Sequence, residues 1–222
     1  MKEPQFFRRF DYDPRLLPNR RLREMEEGVT DVETARTRSG LTIGYPGWGL
    51  IYYTLLNHLH WDRPNHIIET GSNWGCSTIV LAQAVKDSRG GGSVRTVEIS
   101  PDNASKAKAN IEAAGLSDVT TIYEGDSLSA LPAMLADLDE VRVAFLDGSH
   151  AFDHVMAEFA LVVDKLSPTG MVLMDNTYGL FEGEADERVF GALKAIKARY
   201  GGNIVNFERT SWYTPGLAIW QR

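Results

Sequence analysis

The sequence has almost no cysteine. Cys76 is the one cysteine in 222 residues, so no disulfide can form within the chain. A chain without disulfides suits a reducing compartment, and we expect a cytoplasmic location. Long apolar runs are also lacking: none approaches the roughly 20 residues that cross a bilayer. The first residues, MKEPQFFRRFDYDP, lack the apolar stretch of a signal peptide. The sequence therefore predicts no membrane association.

An excess of positive charge is lacking as well. Lysine and arginine number 23 against 30 acidic residues, which gives a net charge of −7. This balance argues against sequence-independent binding to the phosphates of a nucleic acid. The content of 43% hydrophobic and 24% charged residues is that of a globular protein. A small molecule is therefore the expected partner, and a homo-oligomer remains open.

The chain after about residue 64 alternates β-branched strands with helices. The pattern predicts strands at 66–70, 94–99, 119–125, 141–148 and 170–176, and helices at 75–88, 101–114, 127–138, 152–166 and 184–200. The run SPTG at 167–170 is expected to close the fourth of these helices. Two final strands, NIVNFER and GLAIW, follow without a helix between them and predict a hairpin. The fold class is therefore α/β: a doubly wound, mostly parallel sheet of seven strands with a C-terminal antiparallel hairpin and helices on both faces.

The N-terminal segment differs in character from the rest. Residues 1–44 are charged and rich in arginine, with a possible short helix at 19–27. We expect an arm that serves either as a lid over the site or as an oligomer contact. Residues 45–222 are expected to form the main domain.

Acidic residues follow the predicted strands where the strands end. In an open α/β sheet these carboxyl ends meet at one edge, where ligands bind. Each acid alone reads more simply as a turn former or a helix cap, but five at one edge favour a cationic ligand or a metal. The acids and the amide beside them are Glu69, Glu98, Asp126, Asp147, Asp175 and Asn176.

The run ETGSNWGCS at 69–77 follows the first strand as a glycine-containing turn. A dinucleotide-binding turn needs three glycines, and only Gly71 and Gly75 are present. An acid ending the second strand, here Glu98, commonly binds the ribose of a nucleoside. A nucleoside without phosphate but with a positive charge fits both features, and S-adenosylmethionine is such a molecule. Glu69 would then face its cationic end.

These residues resemble motif I of the class I S-adenosylmethionine-dependent methyltransferases, which have a Rossmann-like fold. From about residue 45 the chain is similar to metal-dependent O-methyltransferases of the catechol and caffeoyl-CoA type, and to bacterial relatives that act on sugar or antibiotic hydroxyls. The resemblance implies an enzyme that binds S-adenosylmethionine. The implied cofactor-binding residues are Glu69, Gly71, Ser72, Asn73, Gly75, Ser77, Glu98, Ile99, Asp126, Ser127 and Asp147.

The resemblance also implies a divalent metal held by Asp147, Asp175 and Asn176. Two carboxylates and an amide oxygen are hard ligands suited to Mg²⁺. His150 stands where the catechol-type enzymes have a lysine, three residues after the first metal acid. A group with a pKa near neutrality suits the removal of a hydroxyl proton, so His150 is the predicted general base. A helix-start histidine that contacts the backbone is the alternative.

The methyl acceptor is the least determined part. Aromatic residues that could line its pocket, or pack against a partner subunit instead, are Tyr45, Trp48, Tyr178, Phe181, Trp212 and Tyr213. They suit a planar phenol or the face of a sugar. Three other functions remain open: a relative with hydroxylase-like chemistry, a nicotinamide oxidoreductase, and a non-catalytic adenosyl-binding protein.

Overall fold

The computed structural model describes residues 14–178, 185–211 and 216–222, and in this part of the chain seven strands form one sheet. The strands are β1 (Asn65–Thr70), β2 (Gly92–Glu98), β3 (Thr120–Glu124), β4 (Val141–Leu146), β5 (Leu166–Asp175), β6 (Asn203–Phe207) and β7 (Leu217–Gln221). The α-helices are α1 (Arg20–Glu26), α2 (Val32–Ser39), α3 (Gly47–His58), α4 (Cys76–Asp87), α5 (Pro101–Ala113), α6 (Ser127–Leu135), α7 (Phe152–Val163) and α8 (Val189–Tyr200).

The strand order is β3-β2-β1-β4-β5-β7-β6. The first five strands pair in parallel, and β7 pairs antiparallel with both β5 and β6. The predicted fold class is confirmed. The order reverses between β1 and β4, so their carboxyl ends flank the crevice in which such sheets bind ligands.

Two apolar layers cover the sheet. One core cluster joins α3 and α4 to one face through residues such as Leu55, Ile79 and Phe145. The other joins α6, α7 and α8 to the opposite face through residues such as Leu131 and Phe159. Strands buried on both faces read as continuous apolar runs, and all six residues of β4 are buried.

Two features of the chain depart from the sequence-based expectation. The SPTG run does not close a helix: α7 ends at Val163, and β5 already begins at Leu166. Leu166 pairs with Val141 before an irregularity in register, so pairing with β4 overrides the turn preference of Pro168 and Gly170. Helix α2 was not predicted, although Asp31 and Thr34 form a capping box at its start.

The described part of the N-terminal segment packs against the main domain. Leu17, Leu22 and Met25 belong to the same core cluster as α3 and α4. Asn73, in the turn after β1, donates its side-chain amide to the Gly40 carbonyl at 2.8 Å. The segment therefore lies beside the predicted cofactor turn, and its role as a lid or an oligomer contact stays a prediction. No helix in the described ranges is long and apolar enough to cross a membrane.

Candidate active site

The turn after β1 is fixed to its neighbours by the backbone. The amides of Gly71 and Ser72 both donate to the Val97 carbonyl, at 2.9 and 3.3 Å. The Asp147 amide donates to the Thr70 carbonyl at 3.1 Å. The ends of β1, β2 and β4 are thereby held together, and the turn projects into the crevice between them.

Gly71 is required by this close approach. Its φ is +82°, and a Cβ there would lie 2.2 Å from the Asp147 carbonyl oxygen. We expect Gly71→Ala to lower the free energy of unfolding by about 3 kcal/mol or more, because strain and a clash with backbone add. Gly115→Ala is the matched control, since Gly115 has a φ of +72° and no atom near the added methyl. Urea titration of both variants measures the difference, and equal losses would contradict the close approach.

Glu69 points into the protein. Its side chain is fully buried and accepts a hydrogen bond from the Thr78 hydroxyl at 2.5 Å. Burial raises the pKa of the Glu69 carboxyl, while the hydroxyls of Ser77, Thr78 and Thr96 act in the opposite direction. Ser77 thus contacts Glu69, and the two residues connect β1 to the first turn of α4.

Glu98 organises the turn from the neighbouring strand. Its Oε2 accepts from the Asn73 amide at 2.7 Å, and its Oε1 accepts from the Ser100 amide at 3.0 Å. Asn73 has a φ of +48°, a conformation that asparagine tolerates. Ile99 next to Glu98 is 72% exposed, which leaves a large apolar side chain available beside the acid.

The turn after β3 contains both predicted residues of the third strand end. Asp126 caps α6, and its Oδ2 accepts from the Ser129 amide and hydroxyl, each at 3.0 Å. The Ser127 hydroxyl donates to Oε1 of Glu158 at 2.6 Å. His154 Nε2 lies 2.8 Å from the same hydroxyl oxygen.

Glu158 is a residue that sequence reasoning missed. It lies on α7 with no exposed surface, beside the ends of β1 and β4. Its position, three residues after Val155 and four before Val162, places it on the buried face of an amphipathic helix. An acid at such a position was the available signal.

Asp147 and Asp175 lie close together at the ends of β4 and β5. Burial raises the pKa of both carboxyls well above the usual value. The negative charge of Glu69 raises the pKa of Asp147 further, and that of Asp147 raises the pKa of Asp175. Oδ1 of Asp175 is buried without a hydrogen-bond partner among the described residues. Asn176, with a φ of +58°, follows directly, and its amide donates to the Gly216 carbonyl at 3.1 Å.

These residues fit a divalent cation. A positive charge stabilises two neighbouring carboxylates of which one has a buried oxygen without a partner among the described residues, and oxygen ligands suit Mg²⁺. Across the described ranges, no three histidine, cysteine, aspartate or glutamate side chains are grouped so that they could hold a metal. The predicted set has two such residues and takes its third oxygen from the amide of Asn176, and the set stays a prediction.

His150 lies against this acidic pair. Its Nε2 is 3.4 Å from Oδ1 of Asp147, and its side chain is 32% exposed. Burial lowers the pKa of His150, partly offset by the negative charge of Asp175. The imidazole is therefore held in its neutral, proton-accepting form near neutral pH, at a position that a ligand in the crevice can reach.

The aromatic residues predicted to line the pocket of the methyl acceptor fall into three groups. Trp48 is fully buried in the core and presents no exposed face to an acceptor. Tyr45 and Tyr178 are partly buried. Phe181, Trp212 and Tyr213 lie outside the described residues.

The region that forms this site is similar to known methyltransferases. The methyltransferase domain family matches residues 68–177, which span the turn after β1, the ends of β2 to β4 and the Asp175–Asn176 pair. The chain carries a methyltransferase domain. Catechol O-methyltransferase of Sus scrofa is 32% identical over 88 residues, which are 39% of this chain and 46% of that protein. The match therefore spans about half the length of this relative.

Solved structures share the fold of the whole methyltransferase domain. The O-methyltransferase TomG from Streptomyces achromogenes, involved in tomaymycin synthesis and in complex with SAM, has a TM-score of 0.72 at 17% identity, over 90% of this chain and 88% of that one. The O-methyltransferase from Bacillus cereus in complex with SAH has a TM-score of 0.71 at 20% identity, over 90% of both chains. The predicted resemblance to S-adenosylmethionine-dependent methyltransferases is confirmed.

Proposed function

We propose that the protein methylates a hydroxyl group of a small molecule with S-adenosylmethionine, assisted by a divalent metal. The observation that carries this proposal is the contact of His150 with Asp147, next to Asp175, at the crevice of a methyltransferase domain. A proton acceptor and a cation-binding acid pair at one place are what the methylation of a weakly acidic hydroxyl requires. The names of the similar proteins, O-methyltransferases including a catechol-specific one, support oxygen as the methylated atom.

The cofactor site is proposed to use the three strand ends next to the crevice. Glu98 orients the Asn73 amide and the start of α5 through two hydrogen bonds, and it offers its carboxylate to ribose hydroxyls. Ile99 would cover one face of the purine, and the turn at Asp126 and Ser127 would lie at the edge of the purine. The β1 turn, with Gly71, Ser72, Asn73 and Gly75, would hold the methionine end, supported from below by Glu69, Ser77 and the Asp147 backbone.

The metal would be held by oxygens of Asp147, Asp175 and Asn176. When bound, it would compensate the acidic pair and lower the pKa of the acceptor hydroxyl. His150 takes the hydroxyl proton on the imidazole nitrogen that does not face Asp147, the oxygen forms a bond to the methyl carbon, and the bond from that carbon to sulfur breaks. Positioning by the rigid strand ends supplies much of the acceleration. A phenol, a catechol or a sugar is the proposed acceptor class, and the cytoplasmic location and the possible homo-oligomer stay predictions.

Calorimetric titration tests the cofactor. S-adenosylmethionine is expected to bind with and without Mg²⁺, whereas NADH is not. Glu98→Gln should weaken S-adenosylmethionine binding by about tenfold to a hundredfold, because it replaces an acceptor for two backbone amides and the ribose.

Glu124→Gln is the matched control for this experiment. Glu124 pairs with Glu98 in the sheet register, but its side chain is exposed. Binding of NADH instead, or equal affinities in both variants, would overturn the proposed cofactor site. Turnover is then measured by product S-adenosylhomocysteine against a panel of phenols and sugars.

A further inference from the structure

The β1 turn is also held from outside by residues that the proposed reaction does not use. In this turn Gly71, Asn73 and Gly75 have positive φ values of +82°, +48° and +83°. A positive φ at a residue other than glycine, such as Asn73, costs free energy and persists only where the surrounding structure fixes it. Within the turn, the Gly75 amide donates to the Ser72 carbonyl at 2.7 Å. Further supports come from α5 and from the N-terminal segment.

Trp74, in the same turn, lies along one face of α5. Its indole Nε1 donates to Oδ1 of Asn103 at 3.2 Å, and Nζ of Lys106 lies 4.1 Å from the centroid of its ring. Its backbone carbonyl accepts a hydrogen bond from Nδ2 of Asn110 at 2.8 Å. Positions 103, 106 and 110 are three and four residues apart, so they share one face of the helix. Helix α5 therefore fixes both the side chain and the carbonyl of Trp74.

The amide of Asn110 is itself oriented by α1. Its Oδ1 accepts two hydrogen bonds from the guanidinium of Arg21, from Nη2 at 2.8 Å and from Nε at 3.2 Å. Hydrogen bonds from a charged donor are stronger than neutral ones, and Asn110 is only 8% exposed. With its oxygen held by Arg21, the amide presents its nitrogen to the Trp74 carbonyl. The N-terminal segment thereby acts, through α5, on the backbone of the β1 turn.

A second contact joins the N-terminal segment to the turn. Nδ2 of Asn73 donates to the Gly40 carbonyl at 2.8 Å. Gly40 follows α2 with a φ of +75°, and a Cβ there would lie 3.0 Å from two carbons of the Trp74 ring. Helix α1 is anchored by its N-cap Asn19, whose Nδ2 donates to Oε1 of Gln83 on α4 at 2.8 Å. The segment is therefore fixed to the main domain on one side and to the turn on the other.

We propose that Arg21 is a positioning residue for the cofactor: by holding the Asn110 amide, it sets the Trp74 carbonyl and with it the β1 turn. The inference rests on the proposed function, which places the methionine end of S-adenosylmethionine on this turn. A turn held in its binding conformation before the ligand arrives loses less conformational freedom on binding, and affinity is higher for that reason. Helix α1 thus acts as a fixed brace of the cofactor site.

Two variants of α1 form a matched pair. Arg21→Met removes the hydrogen bonds to Asn110, whereas Arg20→Met changes the neighbouring residue, whose side chain is 89% exposed. Both arginines also contact Glu24, so each variant loses one cation and one contact with that residue. The calorimetric Kd for S-adenosylmethionine should rise by about threefold to tenfold in Arg21→Met, because the turn is no longer held. Arg20→Met should bind as wild type.

Asn110→Asp separates positioning from stability. The carboxylate keeps an acceptor for Arg21, so the free energy of unfolding in urea should stay near that of wild type. It has no N–H for the Trp74 carbonyl, and two acceptors then face each other. The Kd for S-adenosylmethionine should therefore rise by about tenfold in a protein as stable as wild type. A purely structural role of Asn110 predicts an unchanged Kd.

Hydrogen exchange of the peptide that covers residues 71–75, measured without ligand, gives a readout independent of the cofactor. Exchange at the Gly75 amide should be faster in Arg21→Met and Asn110→Asp than in wild type and Arg20→Met. Equal exchange in all four proteins overturns the inference.

The affinities decide between the inference and the proposed function. An unchanged Kd in either Arg21→Met or Asn110→Asp overturns the inference. A Kd raised equally in Arg20→Met and Arg21→Met also overturns it, because the charge of α1 would then act in place of the hydrogen bonds. If Arg21→Met does not fold, Asn110→Asp decides alone. Wild type that does not bind S-adenosylmethionine overturns the proposed function itself.

Discussion

Asp175→Ala is expected to abolish turnover while leaving the affinity for S-adenosylmethionine nearly unchanged. The expected loss is at least about a thousandfold in kcat, because the variant removes a proposed ligand of the metal that would orient and acidify the acceptor. Cofactor affinity is retained because Asp175 ends β5, which lies two strands from β1 and further from β2 and β3, the strands whose ends would hold the cofactor. Turnover with saturating Mg²⁺ and a calorimetric Kd for S-adenosylmethionine measure the two quantities.

Thermal unfolding gives a readout for Asp175 that does not depend on activity. The charge of Asp147 raises the pKa of Asp175, and a bound cation would relieve this repulsion. Mg²⁺ at a hundred times its Kd should stabilise the wild type by about 2.7 kcal/mol, and this gain should vanish in Asp175→Ala. Asp118→Ala, which removes an exposed acid beside Lys86, should keep it. Full turnover in Asp175→Ala, or an equal gain from Mg²⁺ in all three proteins, would refute the metal role.

The sheet and its crevice could be predicted because both depend on local pattern. Strands rich in β-branched residues alternate with helices at a spacing that permits little except parallel crossovers. Acids such as Glu98 and Asp147 close these strands, and parallel strands bring their carboxyl ends to one edge. The helix predicted at 101–114 likewise begins at Pro101, and the side chain of Ser100 accepts a hydrogen bond from the Asn103 amide at its start.

Other features depend on residues distant in sequence and were not predicted. Glu158 is buried beside Ser127, Thr70 and Gly148, which come from three other parts of the chain. The early start of β5 depends on pairing with Val141. The inward direction of Glu69 depends on the hydroxyl of Thr78, one turn into the next helix. Strand ends can be located from pattern, whereas the donors that surround each buried acid cannot.

His150→Gln is expected to lower kcat by about a hundredfold to ten-thousandfold, the usual contribution of a general base. The KM for S-adenosylmethionine should change little, since the described contacts of His150 are with the acidic pair and not with the β1 turn. His60→Gln is the matched control, because His60 lies at the opposite end of β1 and contacts Arg63. A kcat equal to that of wild type would leave His150 as a helix-start residue, the alternative role.

The pH profile separates a base from a merely structural histidine. Burial lowers the pKa of His150 below its usual value of 6.5, so the neutral form already predominates at neutral pH. The wild-type kcat should therefore rise with pH along an acidic limb centred below 6.5 and be level at pH 7. If His150 were merely structural, replacing it would change the magnitude of kcat and leave the acidic limb in place. If His150 is the base, replacing it removes the limb. His150→Gln should accordingly show a low kcat without the limb, and His60→Gln should show the wild-type profile.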